Sequence, residues 1–393
     1  MSTTAEAMRR YSGPPIFSFG FRPFFLFSAV WAAVAAPIWI ASFTLGDGMV
    51  GSIDGRAWHV HEMLFGYLGG VIAGFLLTAV PNWTGRLPVT GAGLAGLFAL
   101  WVAGRIAGFA PSSFAVAAAA VDASFLIVFA AVVWREVLAA GNRRNLPVCL
   151  MVTLLALANV AFHLRGQFPA VAPGAERAAV AVIIGLVALI GGRVTPSFTQ
   201  NWTVAQGILA RPTAFNGFDK ATLALTGVAL IAWVFTPYAL ISGVLMLLAG
   251  AANAVRLWRW RGWLARSEAL VWILHAGYAW VAIGLLLLGL SALVPAVVPF
   301  TAGIHALTAG SMGVMTLAMM TRATRGHTGR PRVADRATAA IYALVLLAAV
   351  VRVCAAFHPG WSPALLGVSA ALWSLAFLGF AWAYGPMLLR RSL

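Results

Sequence analysis

Charge and cysteine are what this chain has least of: charged residues make up 9% of its 393 positions, and there are two cysteines. So little charge cannot clothe a soluble domain, in which roughly a quarter of residues are charged. Two cysteines exclude a disulfide framework and any four-cysteine zinc module. Without a CxxCH motif, no c-type haem is covalently attached. Acid is scarcer than base: 10 Asp and Glu stand against 26 Lys and Arg, for a net charge of +16. In a soluble protein that excess would suggest nucleic acid; here the hydropathy assigns it to membrane topology, so membrane lipid is the expected surroundings and no nucleic acid is expected.

What is abundant is apolar residue, 62% of the chain, with a mean hydropathy of +0.91. Runs of about 20 apolar residues predict twelve spans, at 23–45, 59–80, 92–110, 114–138, 146–165, 177–195, 218–236, 238–257, 268–290, 297–321, 337–357 and 363–386. The fold class is therefore all-α and polytopic: a segment 1–22, one transmembrane domain over 23–388, and a tail 389–393. Sixteen tryptophans and 24 phenylalanines suit interfacial aromatic belts. With the N-terminus cytoplasmic, 21 of the 26 basic residues fall on inner ends and loops, so both termini are expected in the cytoplasm. No small-residue cleavage site follows the first run, which reads as a retained span. The two cysteines fall on opposite sides, Cys149 near an inner end and Cys354 near an outer one, so they cannot pair.

Against this background "WHVHEMLFG", Trp58 to Gly66, stands out, because ionisable groups are costly in hydrocarbon and are kept there for a task. His59 and His61 open the second span at the outer surface, and His305 lies about two turns into the tenth span from the same side. Imidazoles at similar depth are what a metal ion or haem iron needs. On one helix His59 and His61 diverge by about 200°, so they share a centre only if the helix starts between them. His59, Glu62, Gly66, Gly70 and Gly74 form a stripe, and Ala302, Ala309 and Gly313 lie beside His305. Small rows admit either a neighbouring helix or a flat macrocycle. Glu62 reads as an acceptor fixing an imidazole tautomer, a proton-relay group, or a helix-start charge.

Five arginines fall on the outer side: Arg56, Arg105, Arg165, Arg177 and Arg352. Arg105 and Asp122 lie at depths that permit a buried ion pair, and Arg105 and Arg352 could serve anionic haem propionates. The loop arginines have Asp47, Asp54 and Glu176 as alternative partners. His163 and His358 read as interfacial residues. There is also a repeat: His61 and His305 are each followed 24 positions later by the glycine of "TGRLP" or "TGRP". The sixth span, midway, ends in "GGRVTPSF" without the histidine. Three four-helix units, as in subunit I of haem-copper oxidases, would place these spans in equivalent positions.

The stretches "FSFGFRPFF", "WHVHEMLFGYLGGVIAGFLLTAVPNWTGRLP", "GGRVTPSF", "WILHAGYAW" and "HALTAGSMGVMTLAMMTRATRGHTGRP" resemble the NnrS family over essentially the full length. That resemblance implies a haem- and copper-containing protein of the bacterial inner membrane, acting in the response to nitric oxide. It implies haem b, and His59, His61, His275, His305 and His327 as the characteristic histidines. Ideal helix geometry puts His275 and His305 about 10 Å apart in depth, so either the helices tilt and break or there are two centres, an outer one on His59, His61 and His305 and an inner one involving His275 and His327. The leading expectation is binding of nitric oxide and its reduction to N2O with a quinol as electron donor. A secondary transporter of a small anion is the alternative, although a two-by-six repeat would pair the second span with the eighth, which has no histidine. A haem or copper sensor without turnover is the third reading.

Overall fold

A computed structural model describes residues 11–46, 51 and 53–392; Arg9, Arg10, Asp47 and Leu393 lie outside the described residues. Among those residues there are helices and no strands. Among the described residues, eleven helices are long and apolar enough to cross a membrane: α1 (Phe21–Leu45), α2 (Gly55–Thr84), α4 (Ser112–Ala139), α5 (Arg143–Gly166), α6 (Pro169–Ala205), α7 (Gly217–Phe235), α8 (Leu240–Arg259), α9 (Ala269–Leu293), α10 (Phe300–His327), α11 (Arg336–Phe357) and α12 (Pro359–Leu389). The predicted third span is the shorter apolar helix α3 (Gly91–Ala107), of 17 residues. At 1.5 Å per residue it covers about 25 Å, the low end of what a bilayer requires. It stops where Gly108 bonds back to Gly104 and Pro111 leads into the next helix.

Other ends differ from expectation because helices continue past their apolar windows. Helix α2 begins at Gly55, where the Asp54 carboxylate accepts from Ala57 N–H at 2.8 Å, an ordinary N-cap. Helix α6 runs 37 residues, on through "GGRVTPSF" to Ala205. There Thr195, Thr199 and Thr203 recur every four positions and are buried, and Thr199 Oγ1 donates to the Thr195 carbonyl at 2.9 Å. A buried polar stripe of this kind is invisible to a hydropathy window.

The distribution of polarity is that of a membrane bundle. On α5 the exposed face carries Leu150, Leu154 and Leu157, and on α4 Ile127, Val128 and Leu138. The interior holds Arg22, Glu62, Arg105, Asp122, Asp219 and Arg256, all buried. Water would favour the reverse arrangement; lipid accepts the apolar face and leaves each charge to find a partner inside.

The chain falls into two compact units. One contains the residues up to Ala179, with Ala323–Pro331 and Phe377 onwards; the other contains Val180–Arg322 and Arg332–Ala376. In the first, the Arg22 guanidinium donates to the Leu388 and Arg390 carbonyls at 2.8 and 2.6 Å, filling acceptors that the end of α12 leaves open. In the second, Arg256 donates to Asp219 at 3.0 Å and to the Tyr278 hydroxyl at 2.8 Å, and Tyr278 donates to Asn253 at 2.7 Å.

The repeat suggested by the sequence has a backbone counterpart. Helices α2, α6 and α10 each contain a π-helical stretch, at Glu62–Tyr67, Val187–Gly191 and Ala306–Met312. In α2 and α10 the stretch begins one residue after His61 and His305. A π-turn widens the helix and leaves a carbonyl for another donor. The Gly66 carbonyl accepts from Trp101 Nε1 at 2.9 Å, and the equivalently placed Ala188 carbonyl from Arg256 at 3.0 Å. Gly85, Gly207 and Gly329, equally spaced along the chain, all have positive φ.

Small residues let these helices approach. A Cβ on Gly74 would meet Phe24 and Phe25 at 2.9 Å, whereas one on Gly96 would meet nothing within 4 Å. Gly74→Ala is expected to cost about 1–3 kcal/mol through overpacking and to lower the unfolding temperature in detergent by several degrees. Gly96→Ala is expected to leave it level or raise it slightly. Scanning fluorimetry on both variants checks this, and equal shifts would contradict it.

Candidate functional site

The functional side chains assemble from the start of α2. Because α2 begins at Gly55, before both histidines, His59 and His61 leave the helix on different faces. The His59 ring stacks on Trp39 of α1, centroids 4.3 Å apart. His61 is buried and turns towards α4 and α5. The condition for one shared centre, a helix start between them, is not met.

Glu62, wholly buried, follows His61. Its Oε1 lies 2.9 Å from His61 Nδ1, and its Oε2 accepts from Trp31 Nε1 at 2.8 Å and from Arg105 Nη1 at 2.7 Å. Arg105, near the end of α3, spends its other terminal nitrogen on Asp122 Oδ1. The second oxygen of Asp122, Oδ2, faces three nitrogens: His61 Nε2 at 3.0 Å, His163 Nε2 at 2.9 Å and Asn159 Nδ2 at 2.9 Å. Asn159 Oδ1 lies 3.1 Å from His61 Nε2. The ring of His61 is walled by Phe65 and Phe162, centroids 5.3 and 5.2 Å away. One carboxylate thus orients the imidazole from behind while a second faces it in front.

Glycine makes this possible at two points. A Cβ on Gly66 would collide with the Arg105 guanidinium, and one on Gly104 would lie 2.8 Å from Asp122 Oδ1. The expected Arg105–Asp122 pair is therefore present, extended to Glu62. Arg105 is committed to these carboxylates in this structure. Of the other outer arginines, Arg56 pairs with Glu176 at 2.6 Å, and Arg352 is half-buried on α11.

The remaining expected residues lie elsewhere. His327 is the last residue of α10, its ring 5.5 Å from those of Phe19 and Phe21. His275, on α9 in the second unit, lies 2.8 Å through Nε2 from Thr199 Oγ1. Since that hydroxyl already donates to Thr195, it accepts from His275, which leaves Nδ1 as the basic nitrogen, buried against Gly262. His305, on α10 in the second unit, donates from Nδ1 to the Thr301 carbonyl at 2.7 Å, which makes Nε2 its basic nitrogen.

A macrocycle does not fit against the small-residue rows as they are folded. Gly66, Gly70 and Gly74 are covered by Arg105, by Ser28 and Trp101, and by Phe24 and Phe25. In the row beside His305, Gly313 is covered by the indole of Trp373, and neighbouring Gly310 by that of Trp280. Both rows serve close packing of protein on protein. Nor does His61 offer a face to a porphyrin, since Phe65 and Phe162 wall its ring.

His163, read from sequence as interfacial, and Asn159, not singled out there, both join the network through Asp122. They lie four apart on α5, on one face of the helix, and a polar pair at that spacing in an apolar run was the available signal.

The chain matches the family described as NnrS protein over residues 15–392. No curated protein matches the chain.

Removing the cation from this network should be costly. Arg105→Met leaves Glu62 and Asp122 buried without their shared partner, for an expected loss of about 3–5 kcal/mol. Arg56→Ala breaks an exposed pair, Arg56 being 71% exposed, and should cost under about 1 kcal/mol. Equal thermal unfolding of the two variants in detergent would contradict the network's structural weight.

Proposed function

Because the chain belongs to the NnrS family, we propose that it is a bacterial inner-membrane protein of the nitric oxide response, which binds nitric oxide at a metal centre and reduces it with electrons from a quinol. The observation that carries this reading is the buried network of Glu62, Arg105, Asp122, His61 and His163 in an otherwise apolar bundle. Charge is retained in such a place at a cost, and the family supplies the context for its use. The balanced reaction is 2 NO + QH2 → N2O + H2O + Q, where QH2 is the quinol: two electrons and two protons pass from quinol to product, and one N–O bond is lost as water. With no CxxCH motif in the chain, the electrons in this reading come from a membrane donor or a partner.

In this reading a haem b would be held by His305 away from the small-residue rows, which protein side chains fill. The Nδ1–H of His305 is pinned to a backbone carbonyl, the arrangement that presents Nε2 to a metal, and bound iron would supply an open position for nitric oxide. Glu62 acts as a positioning residue: it holds the His61 ring and the Arg105 guanidinium in place. The excess of basic residues on the inner side supports a cytoplasmic position for both termini.

The visible spectrum of purified protein tests the haem. A Soret band that shifts on adding nitric oxide and disappears in His305→Ala is expected, and a colourless wild-type protein overturns it. Anaerobic consumption of two nitric oxide molecules per reduced quinol analogue is expected; a shifted Soret band without consumption would make the protein a receptor of the gas and overturn turnover.

Orientation has its own check. Green fluorescent protein fused at the C-terminus should fluoresce in intact cells, and alkaline phosphatase fused there should be inactive. The opposite pair of results reverses the topology.

A further inference from the structure

We propose that His61, His163 and Asp122 form a binding site for a single divalent first-row transition-metal ion, held without a porphyrin. One ligand atom from each of the three lies within 4.8 Å of the other two. The Asp122 oxygen is 3.0 Å from one nitrogen and 2.9 Å from the other. In a tetrahedral site with metal–ligand bonds of about 2.0–2.1 Å, donor atoms stand about 3.3 Å apart. A small opening of the cluster therefore seats an ion between them.

Three features point to a metal rather than to hydrogen bonds alone. First, Oδ2 of Asp122 faces three nitrogens, those of His61, His163 and Asn159, although a carboxylate oxygen has about two lone-pair sites. An ion replaces that crowding with one strong bond. Second, His61 Nδ1 is backed by Glu62 Oε1 at 2.9 Å. A carboxylate behind the distal nitrogen fixes the tautomer with Nε2 basic and raises its strength as a ligand, the usual second shell of a metal-bound histidine. Third, Arg105 binds the other oxygen of Asp122, which turns Oδ2 towards the histidines.

The charge count also favours a cation. Two carboxylates and one guanidinium leave the cluster with excess negative charge when both imidazoles are neutral. A proton on His61 is the competing occupant, and it predicts no metal. Two imidazoles with one carboxylate suit first-row divalent ions and leave a fourth position open, for which Asn159 Oδ1 or water is at hand. Access is one-sided: the His163 side chain is 22% exposed, against 4% for His61 and 3% for Asp122.

The site does not rest on the haem reading, and its test is independent of colour. Purified protein, stripped with chelator, is titrated with Zn2+ by calorimetry and analysed for bound metal by mass spectrometry. Wild type is expected to bind one Zn2+ per chain. His163→Gln and Asp122→Asn are expected to bind it at least about 100-fold more weakly, since loss even of a second-shell group costs 10–100-fold. His163→Gln retains a polar side chain at the least buried of the three positions, and its elution profile and unfolding temperature report whether it folds. The proposal is overturned if stripped wild type takes up no zinc, or if folded His163→Gln binds it as tightly as wild type. Loss of zinc binding with the Soret band intact would separate this site from the haem; a colourless protein that still binds zinc would fail the haem assignment alone.

Discussion

A guanidinium inside a membrane bundle must be neutralised where it stands, and Arg105 imposes that requirement on everything near it. It holds Glu62 on one side and Asp122 on the other, joining α2, α3 and α4. Glycine at positions 66 and 104 gives it room. The carboxylates then fix His61, one through each ring nitrogen. Helix packing in lipid lacks the hydrophobic drive available in water, so a dry network of this kind both orders the side chains and ties the helices.

Much of the fold was legible because hydrocarbon thickness and the period of apolar residues leave few alternatives. The sites of the spans followed from composition alone. Their ends did not, because α6 and α10 continue on buried polar faces that a hydropathy window scores as loop. The Arg105–Asp122 pair was legible from depth along two helices. The division of His59 from His61 turned on where α2 starts, which the Asp54 cap decides. His163 read as interfacial for a physical reason: at a helix end, a histidine that meets water and one that meets a carboxylate across the bundle have the same sequence environment.

The glycine rows show how two readings of one pattern can be separated by what lies opposite. From sequence, Gly66, Gly70 and Gly74 admitted either a neighbouring helix or a flat ring. The structure fills them with Arg105, Trp101 and Phe24. Small residues at three- and four-residue spacing are a statement about distance of approach, and chemistry has to be argued from the donors that line the site.

The π-stretches carry a separate consequence. They occur in α2, α6 and α10, yet an imidazole precedes only the first and the last; at the corresponding point of α6 stands Ile183. The backbone distortion and the imidazole are therefore separable parts. Such a layout is what tandem duplication of an ancestral quartet of helices would leave behind: a shared scaffold irregularity kept in every copy, and reactive side chains free to be lost from one copy without unravelling it.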